Sequence, residues 1–295
     1  MTIATSASNS ITRTSAATRT GTANTSRHDG SIGGVGSLIR EWRTLRKLSQ
    51  MDLALDINIS PRHLSFVETG RSIPSADLLM QIAVQLDVPL RTRNTWLLAA
   101  GFAPRYSEQG LDSARLAQAR AAVQRLLDTH DPYPGVALDR HWNVVLHNQA
   151  AAGLMGLLPD ALRTQPMNMF RASLHPQGFA AYTQNFDEWG SYLLQVLQRL
   201  MLNARDESIV ALVEEINTYP NVQALKQSAP GNATAAATEP ALLVPCVLNL
   251  HGQQLSLFTT LTTFGSPRDI TLHELCVELF YPSDPQTEAF LKGRV

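Results

Sequence analysis

Between positions 37 and 101 the apolar residues recur every three or four positions in short blocks, each opened by a capping signal and closed by a turn. Leu38, Trp42, Leu45 and Leu48 share one helical face. Ser49-Gln50-Met51-Asp52 has the form of a capping box, in which the serine hydroxyl takes a first-turn amide and the acid reaches back. Ser60-Pro61 places an N-cap before a proline at the first helical position, where no amide hydrogen is missed. Thr69-Gly70 is a stop signal. Pro74-Ser75 starts a further helix with Leu78, Leu79, Ile82, Ala83 and Leu86, and Val88-Pro89 breaks it. A last block runs through Trp96, Leu97 and Leu98 to Gly101. The pattern predicts five short helices in a compact all-α domain.

Residues 102–112 read as a polar connection, and Leu116, Val123, Leu126 and Leu127 mark a helix from about Ser113 to Thr129 that links this domain to the rest. After the turn Asp131-Pro132-Tyr133-Pro134-Gly135 the texture becomes mixed α and β. Val136–Leu138 and Trp142–Leu146 are expected as strands, and Asn148 as the cap of a helix over Ala150–Leu158. Trp189, Leu193, Val196, Leu197, Leu200 and Met201 line a longer helix. Three β-rich segments close the chain: Leu243–Leu250, Gln254–Phe264 and Ile270–Tyr281. In the second, Leu255, Leu257, Thr259 and Leu261 alternate with Ser256, Phe258, Thr260 and Thr262, as a pleated strand requires. An antiparallel meander is the economical topology. The predicted fold class is thus α+β with several units. A disordered arm (1–36) precedes the helical domain (37–101). A linker and connecting helix (102–131) lead to a sheet domain (132–292) that carries a flexible loop at 227–240.

Composition narrows the function classes. Hydrophobic residues at 44% and charged residues at 17% are those of a globular protein. No apolar run reaches the roughly 18 residues of a membrane span, so no membrane association is expected. The Ser/Thr/Ala-rich, basic opening stretch lacks an apolar signal core; its composition fits a disordered tail or an organelle transit peptide. Cys246 and Cys276 offer neither metal spacing nor a disulfide framework, which points to a reducing cytoplasm. Charge is divided unevenly: residues 1–105 carry a net +5 and residues 106–295 a net −6. A basic front half on an acidic back half suggests that the front half meets a polyanion.

The most informative stretch runs from Leu48 to Gly70, where two capped helices meet at a tight turn around Ile57-Asn58-Ile59. Leu53, Ile57, Ile59, Leu64 and Val67 supply an inward face, and Ala54 is small where the helices must approach closely. The outward face of the second helix then carries Arg62, His63, Ser65 and Phe66. Such a helix fits the major groove of double-stranded DNA, where Arg62 could bond a guanine edge and Phe66 touch a thymine methyl. Gln50 and the first-turn amides of the preceding helix would meet phosphate, and Arg40, Arg43, Arg46 and Arg71 are further phosphate candidates. The pattern Arg46-x-x-Ser49-Gln50-x-x-Leu53-Ala54, then Ile59-Ser60 and Glu68-x-Gly70-Arg71-x-x-Pro74-Ser75, resembles the Xre family of phage-repressor-like helix-turn-helix proteins over about Ser37 to Leu90. That resemblance implies a DNA-binding domain in which Gln50 and Ser60 hold phosphates. It also implies that Arg62, His63, Ser65 and Phe66 read bases and that Glu68 is structural. Pro61 departs from the family, whose second helix often begins with a hydrogen-bonding residue, so base contact there is not expected.

In the second half, Asp139 to Ala150 has a PAS-like cadence of a strand pair followed by an Asn-capped helix. Ser173-Leu174-His175-Pro176, Phe264 to Leu275 and Phe280-Tyr281-Pro282-Ser283-Asp284 resemble the MmyB-like ligand-binding domain, so that this likeness spans about Pro132 to Leu291. It implies a PAS-like sheet flanked by helices around an apolar pocket for a small, lipid-like molecule. Trp142, Phe170, Trp189, Leu193 and Phe258 are the pocket candidates, although each also reads as ordinary core.

Catalysis finds little support. His175, His251 and His273 are scattered, His273-Glu274 sits in a strand pattern, Glu214-Glu215 looks like a solvated helix face, and no nucleophile elbow is present. Neither an enzyme nor a cofactor is expected, since Gly33-Gly34-Val35-Gly36 follows no strand and lacks nucleotide-loop spacing. The expectation is a bacterial, cytoplasmic, ligand-responsive transcription regulator that binds a palindromic operator as a homodimer. The alternative is a protein-interaction module, such as an antitoxin, built on the same helix-turn-helix. A cavity of several hundred cubic ångströms would favour the first, and an exposed apolar patch the second.

Overall fold

The computed structural model describes residues 34–204, 206–228 and 243–293. The expected arm up to residue 33, and the expected loop from residue 229 on, lie outside them. Five helices open the described chain: α1 (Val35–Leu45), α2 (Gln50–Asp56), α3 (Pro61–Glu68), α4 (Ala76–Gln85) and α5 (Leu90–Ala99). Local chemistry fixes their starts. The Ser49 and Asp52 box is complete in both directions, the Ser60 hydroxyl accepts from the His63 amide at 3.1 Å, and Ser75 does the same for Leu78 at 3.2 Å. Asn58 adopts positive φ in the turn between α2 and α3, and Gly70 at φ 72° ends α3. Ile39, Leu53, Leu64, Leu79, Ile82 and Trp96 form the fully buried centre.

The arm ends sooner than the glycine-rich run suggests, because Val35 and Gly36 are buried in α1. A Cβ on Gly36 would stand 2.3 Å from the Val67 carbonyl oxygen and 2.7 Å from that of Glu68. The glycine is what lets α1 close onto the end of α3.

The second domain is built on a five-stranded antiparallel sheet of β1 (Gly135–Leu138), β2 (Val144–His147), β3 (Cys246–Leu250), β4 (Gln253–Thr263) and β5 (Cys276–Pro282), in the order β2-β1-β5-β4-β3. β3, β4 and β5 form the expected meander. Helix α6 (Ala117–His130) covers one face through Val123 and Leu127, which pack on Ala137, Leu146, Val277 and Leu279. The helix expected as a connector is thus part of the sheet domain. The opposite face is covered by α7 (Gln149–Met155), α8 (Met169–Leu174), α9 (Phe186–Ala204), α10 (Glu207–Asn217) and α11 (Pro220–Ser228). Asn148 ties the layers together. Its side-chain oxygen accepts from the amides of Ala151 and Gly135, and its nitrogen donates to the carbonyls of Leu127 and Tyr133. The result is a helical domain followed by a five-stranded antiparallel sheet flanked by helices.

Two local expectations are corrected. The segment expected as one strand over Ile270–Tyr281 is α12 (Ile270–Glu274) followed by β5, and the chain then ends in α13 (Pro285–Leu291). Asp269 caps α12 through the Thr271 amide at 2.9 Å, so His273 and Glu274 stand on a helix rather than a strand. Glu215 is not a purely solvated acid either: it accepts from Arg171 at 2.7 Å and from the Tyr219 hydroxyl at 2.6 Å.

The polar connection is fastened to both domains. Asn94 on α5 donates to the Tyr106 carbonyl and accepts from the amides of Arg105 and Tyr106. Ser107 donates to Asp269 at 2.6 Å and its carbonyl accepts from the Ile270 amide at 2.9 Å. Arg91, at the start of α5, grips Glu274 with two bonds of 2.8 and 2.9 Å and also bonds Glu108. These bonds lower the titration of Glu108, with the Arg91 guanidinium as the principal cause.

Candidate DNA-reading helix and ligand pocket

The outward face of α3 gathers three of the sequence candidates. The Arg62 guanidinium lies 5.3 Å from the Phe66 ring centre and that of Arg71 lies 5.9 Å from it. Phe66 therefore carries two cations at its surface, while Leu64 and Val67 on the reverse of the helix are buried. Arg62 is exposed, and His63, Ser65 and Phe66 are half-buried on the same helix. A short helix with this face and a buried back has the shape and charge to enter a major groove.

Behind it lies a polar knot. Glu68 accepts from Arg43 Nε at 2.7 Å and Nη2 at 2.9 Å, and from Gln50 Nε2 at 2.7 Å. The Glu68 side chain is 1% exposed and that of Arg43 is 12% exposed, so this pair is interior. Arg43 also donates to the Leu48 carbonyl, which joins α1 to the start of α2. Arg43 is thus committed to the fold rather than to phosphate. One Gln50 amide hydrogen is held by Glu68. Arg46 donates to the carbonyls of Leu86 and Asp87 at 2.9 and 3.1 Å and so caps the end of α4, away from the α3 cluster. The Ser60 hydroxyl oxygen accepts at the α3 cap, which leaves its own hydrogen to donate.

In the second domain Trp142, Phe170, Trp189 and Leu193 line one cavity between the sheet and the helices. Trp142 takes positive φ in the turn after β1, where the Asp139 carboxylate accepts the amides of His141 and Asn143 at 2.8 and 2.9 Å. That turn lays Trp142 against Phe170, with ring centres 4.6 Å apart. Phe258 does not join them. Its neighbour Leu257 faces the cavity, so pleating turns Phe258 to the other face, where it stacks on Tyr281 at 5.4 Å. The cavity volume is about 60 Å³, well below the several hundred cubic ångströms of a ready-made site. Met155 and Met169 are among the walls, and unbranched thioethers can repack readily.

Among the wall residues that the sequence candidates omit, Glu278 is the charged one. It sits at the centre of β5, opposite Val136 of β1 and Leu261 of β4. Val277 and Leu279 on either side face α6, while Glu278 faces the cavity. Burial pushes its carboxyl up to about 7, against the opposing effect of a hydrogen bond with Thr259. The signal was an acid interrupting Leu275-Cys276-Val277 and Leu279-Phe280-Tyr281, an apolar run typical of a strand covered on both faces. Among the described residues no group of three or more His, Cys, Asp or Glu is placed to hold a metal ion, and no helix is long and apolar enough to cross a membrane.

Residues 39–92 match a helix-turn-helix family, and residues 119–293 match the MmyB-like transcription regulator ligand binding domain. Multiprotein-bridging factor 1 of Debaryomyces hansenii is 40% identical over 60 residues, and that of Candida albicans is 38% identical over 60. In both cases the match takes in 20% of this chain, and the chain spans 40% of the length of these curated relatives. The PAS domain of BvgS from Bordetella pertussis aligns with 59% of this chain and 93% of its own, at 15% identity and a TM-score of 0.25.

Proposed function

This chain belongs to the MmyB-like transcription regulators, a DNA-binding domain joined to a ligand-sensing domain, and from that premise we propose that it binds a palindromic operator as a homodimer under the control of a small apolar ligand. The observation that carries the DNA reading is the exposed Arg62–Phe66–Arg71 face on a helix whose back is locked by Glu68. One such module makes a small interface with DNA, so two half-sites about a helical turn apart give useful affinity and specificity. Arg62 reads a base edge, Arg71 holds phosphate, and the second amide hydrogen of Gln50 meets phosphate beside the first turn of α2.

The ligand is small and lipid-like, and it occupies the cavity under Trp142, Phe170, Trp189 and Leu193. A space of about 60 Å³ is less than half of the roughly 150 Å³ that admits benzene. Filling it therefore displaces Met155, Met169 and their helices. Ligand entry and a change of shape are then one event, which is how a ligand selects one arrangement of the two DNA-binding domains. The path outward is β5, then α12, then the Glu274–Arg91 contact onto α5.

Site selection from random DNA with the full chain tests this reading. Arg62→Ala should lose about 1–3 kcal/mol on the selected site and relax preference at one position. Gln50→Ala should weaken all sequences more evenly. Equal, sequence-independent losses from both would remove Arg62 as a base reader. Failure to enrich any site, with or without cell extract, would refute the regulator reading itself.

A further inference from the structure

Three acids are buried among the described residues: Glu68, Asp269 and Glu278. The first two have structural duties already accounted for, since Glu68 holds Arg43 and Gln50 and Asp269 caps α12 and receives Ser107. Glu278 has no such duty. It lies in the wall of an apolar cavity whose lining, among the described residues, includes no Lys, Arg or His, and whose other polar side chains include Ser173 and the Cys246 thiol. A carboxyl in that position is costly to ionise and gives the fold no cation in return.

We propose that Glu278 is the polar anchor of the pocket and that it selects an apolar molecule ending in a hydrogen-bond donor, an aliphatic amine above all, over one ending in a carboxylate. The inference rests on the reading of the cavity as the ligand site. The chemistry follows from what each head group would meet. An ammonium group supplies the positive partner the carboxylate lacks and makes a charge-assisted hydrogen bond with it. A hydroxyl donates a single neutral bond. A carboxylate head would bring a second negative charge to a group that has no cation beside it, and one of the two acids would have to hold a proton. The raised titration of Glu278 agrees with this. The ionisable neighbours are the thiols of Cys246 and Cys276, both pushed up by burial and so neutral at ordinary pH. Val136 and Leu261 stand opposite Glu278 on the adjacent strands, and Thr259 of β4 holds its carboxyl. No charged residue from α7, α8 or α9 lines the cavity.

The experiment titrates octylamine, 1-octanol and octanoate into the full chain and follows tryptophan fluorescence, because Trp142 and Trp189 are wall residues. Octylamine should bind most tightly and octanoate at least about tenfold more weakly, a difference of roughly 1.4 kcal/mol. Glu278→Gln, which keeps the shape and removes the charge, should erase most of that preference. As an independent check on the unaltered chain, the affinity for octylamine should fall as the pH drops through about 7 while that for octanol holds. Octanoate binding as tightly as octylamine, or the preference surviving in Glu278→Gln, would overturn the assignment of Glu278 and leave the pocket standing. No response to any of the three would overturn the pocket reading as well.

Discussion

Replacing Glu278 by glutamine isolates what it costs this fold to house a carboxyl between two apolar layers. The side chain is buried, and its titration is pushed up to about 7, against an ordinary 4.5 once the chain unfolds. Between those values the folded protein holds more protons than the unfolded one, so stability falls as the pH rises through that window and is level above it. At about 1.4 kcal/mol for each pH unit, the gap corresponds to roughly 3 kcal/mol. Glutamine fills the same space and does not ionise. The variant should therefore match the parent near the acid edge of the window and exceed it by up to about 3 kcal/mol on the alkaline side. The neutral thiols of Cys246 and Cys276 add no slope there, and the histidines are common to both proteins and cancel in the difference. Urea unfolding at half-unit steps of pH measures this directly. Parallel curves for parent and variant across the whole window would mean that Glu278 ionises without penalty, and the argument from burial would fail.

Removing the centre of the polar knot should act on the other domain: Glu68→Ala strands Arg43 in the interior and should cost roughly 3–5 kcal/mol in thermal or urea unfolding, whereas a loss under about 1 kcal/mol would show the pair to be solvated. Arg91→Gln breaks a half-exposed contact and should change stability by no more than about 1 kcal/mol. Its effect belongs instead to communication: DNA affinity without ligand should persist while the change produced by a pocket ligand is lost, and an unchanged response would rule out the α12 route.

What the sequence made legible was what its chemistry decides locally. The Ser49–Asp52 box, Ser60-Pro61 and the Ser75 cap act within three or four residues, and the helices begin where those signals stand. The alternation that predicts β4 is local in the same sense. The misses depend on partners far along the chain. Gly36 looks like part of a flexible run until the carbonyls of Val67 and Glu68 are seen against it. α12 has five residues, too few for a helical period to declare itself, and its cap residue also receives Ser107 from more than a hundred positions away. Gln50 has the position of a phosphate ligand in the sequence, yet its amide is shared with Glu68, a partner supplied by the following helix. Phe258 failed for a simpler reason. Pleating puts Leu257 and Phe258 on opposite faces, and apolar character alone does not say which face holds the cavity.

The two carboxylates that matter most show why burial has to be read together with partners. Glu68 and Glu278 are 7% and 6% exposed, so accessibility does not separate them. Glu68 has an arginine fork and an amide converging on it, every donor coming from the chain itself. Such a group is satisfied by the fold and, when removed, harms the fold. Glu278 has a threonine hydroxyl and otherwise an apolar room whose volume exceeds a water molecule's needs. An apolar residue in its place would pack at lower cost, so the stability of this domain gives no reason for an acid there. The reason must come from something that enters the room, and a buried acid without a cation makes a donor-bearing guest the one that gains most by entering.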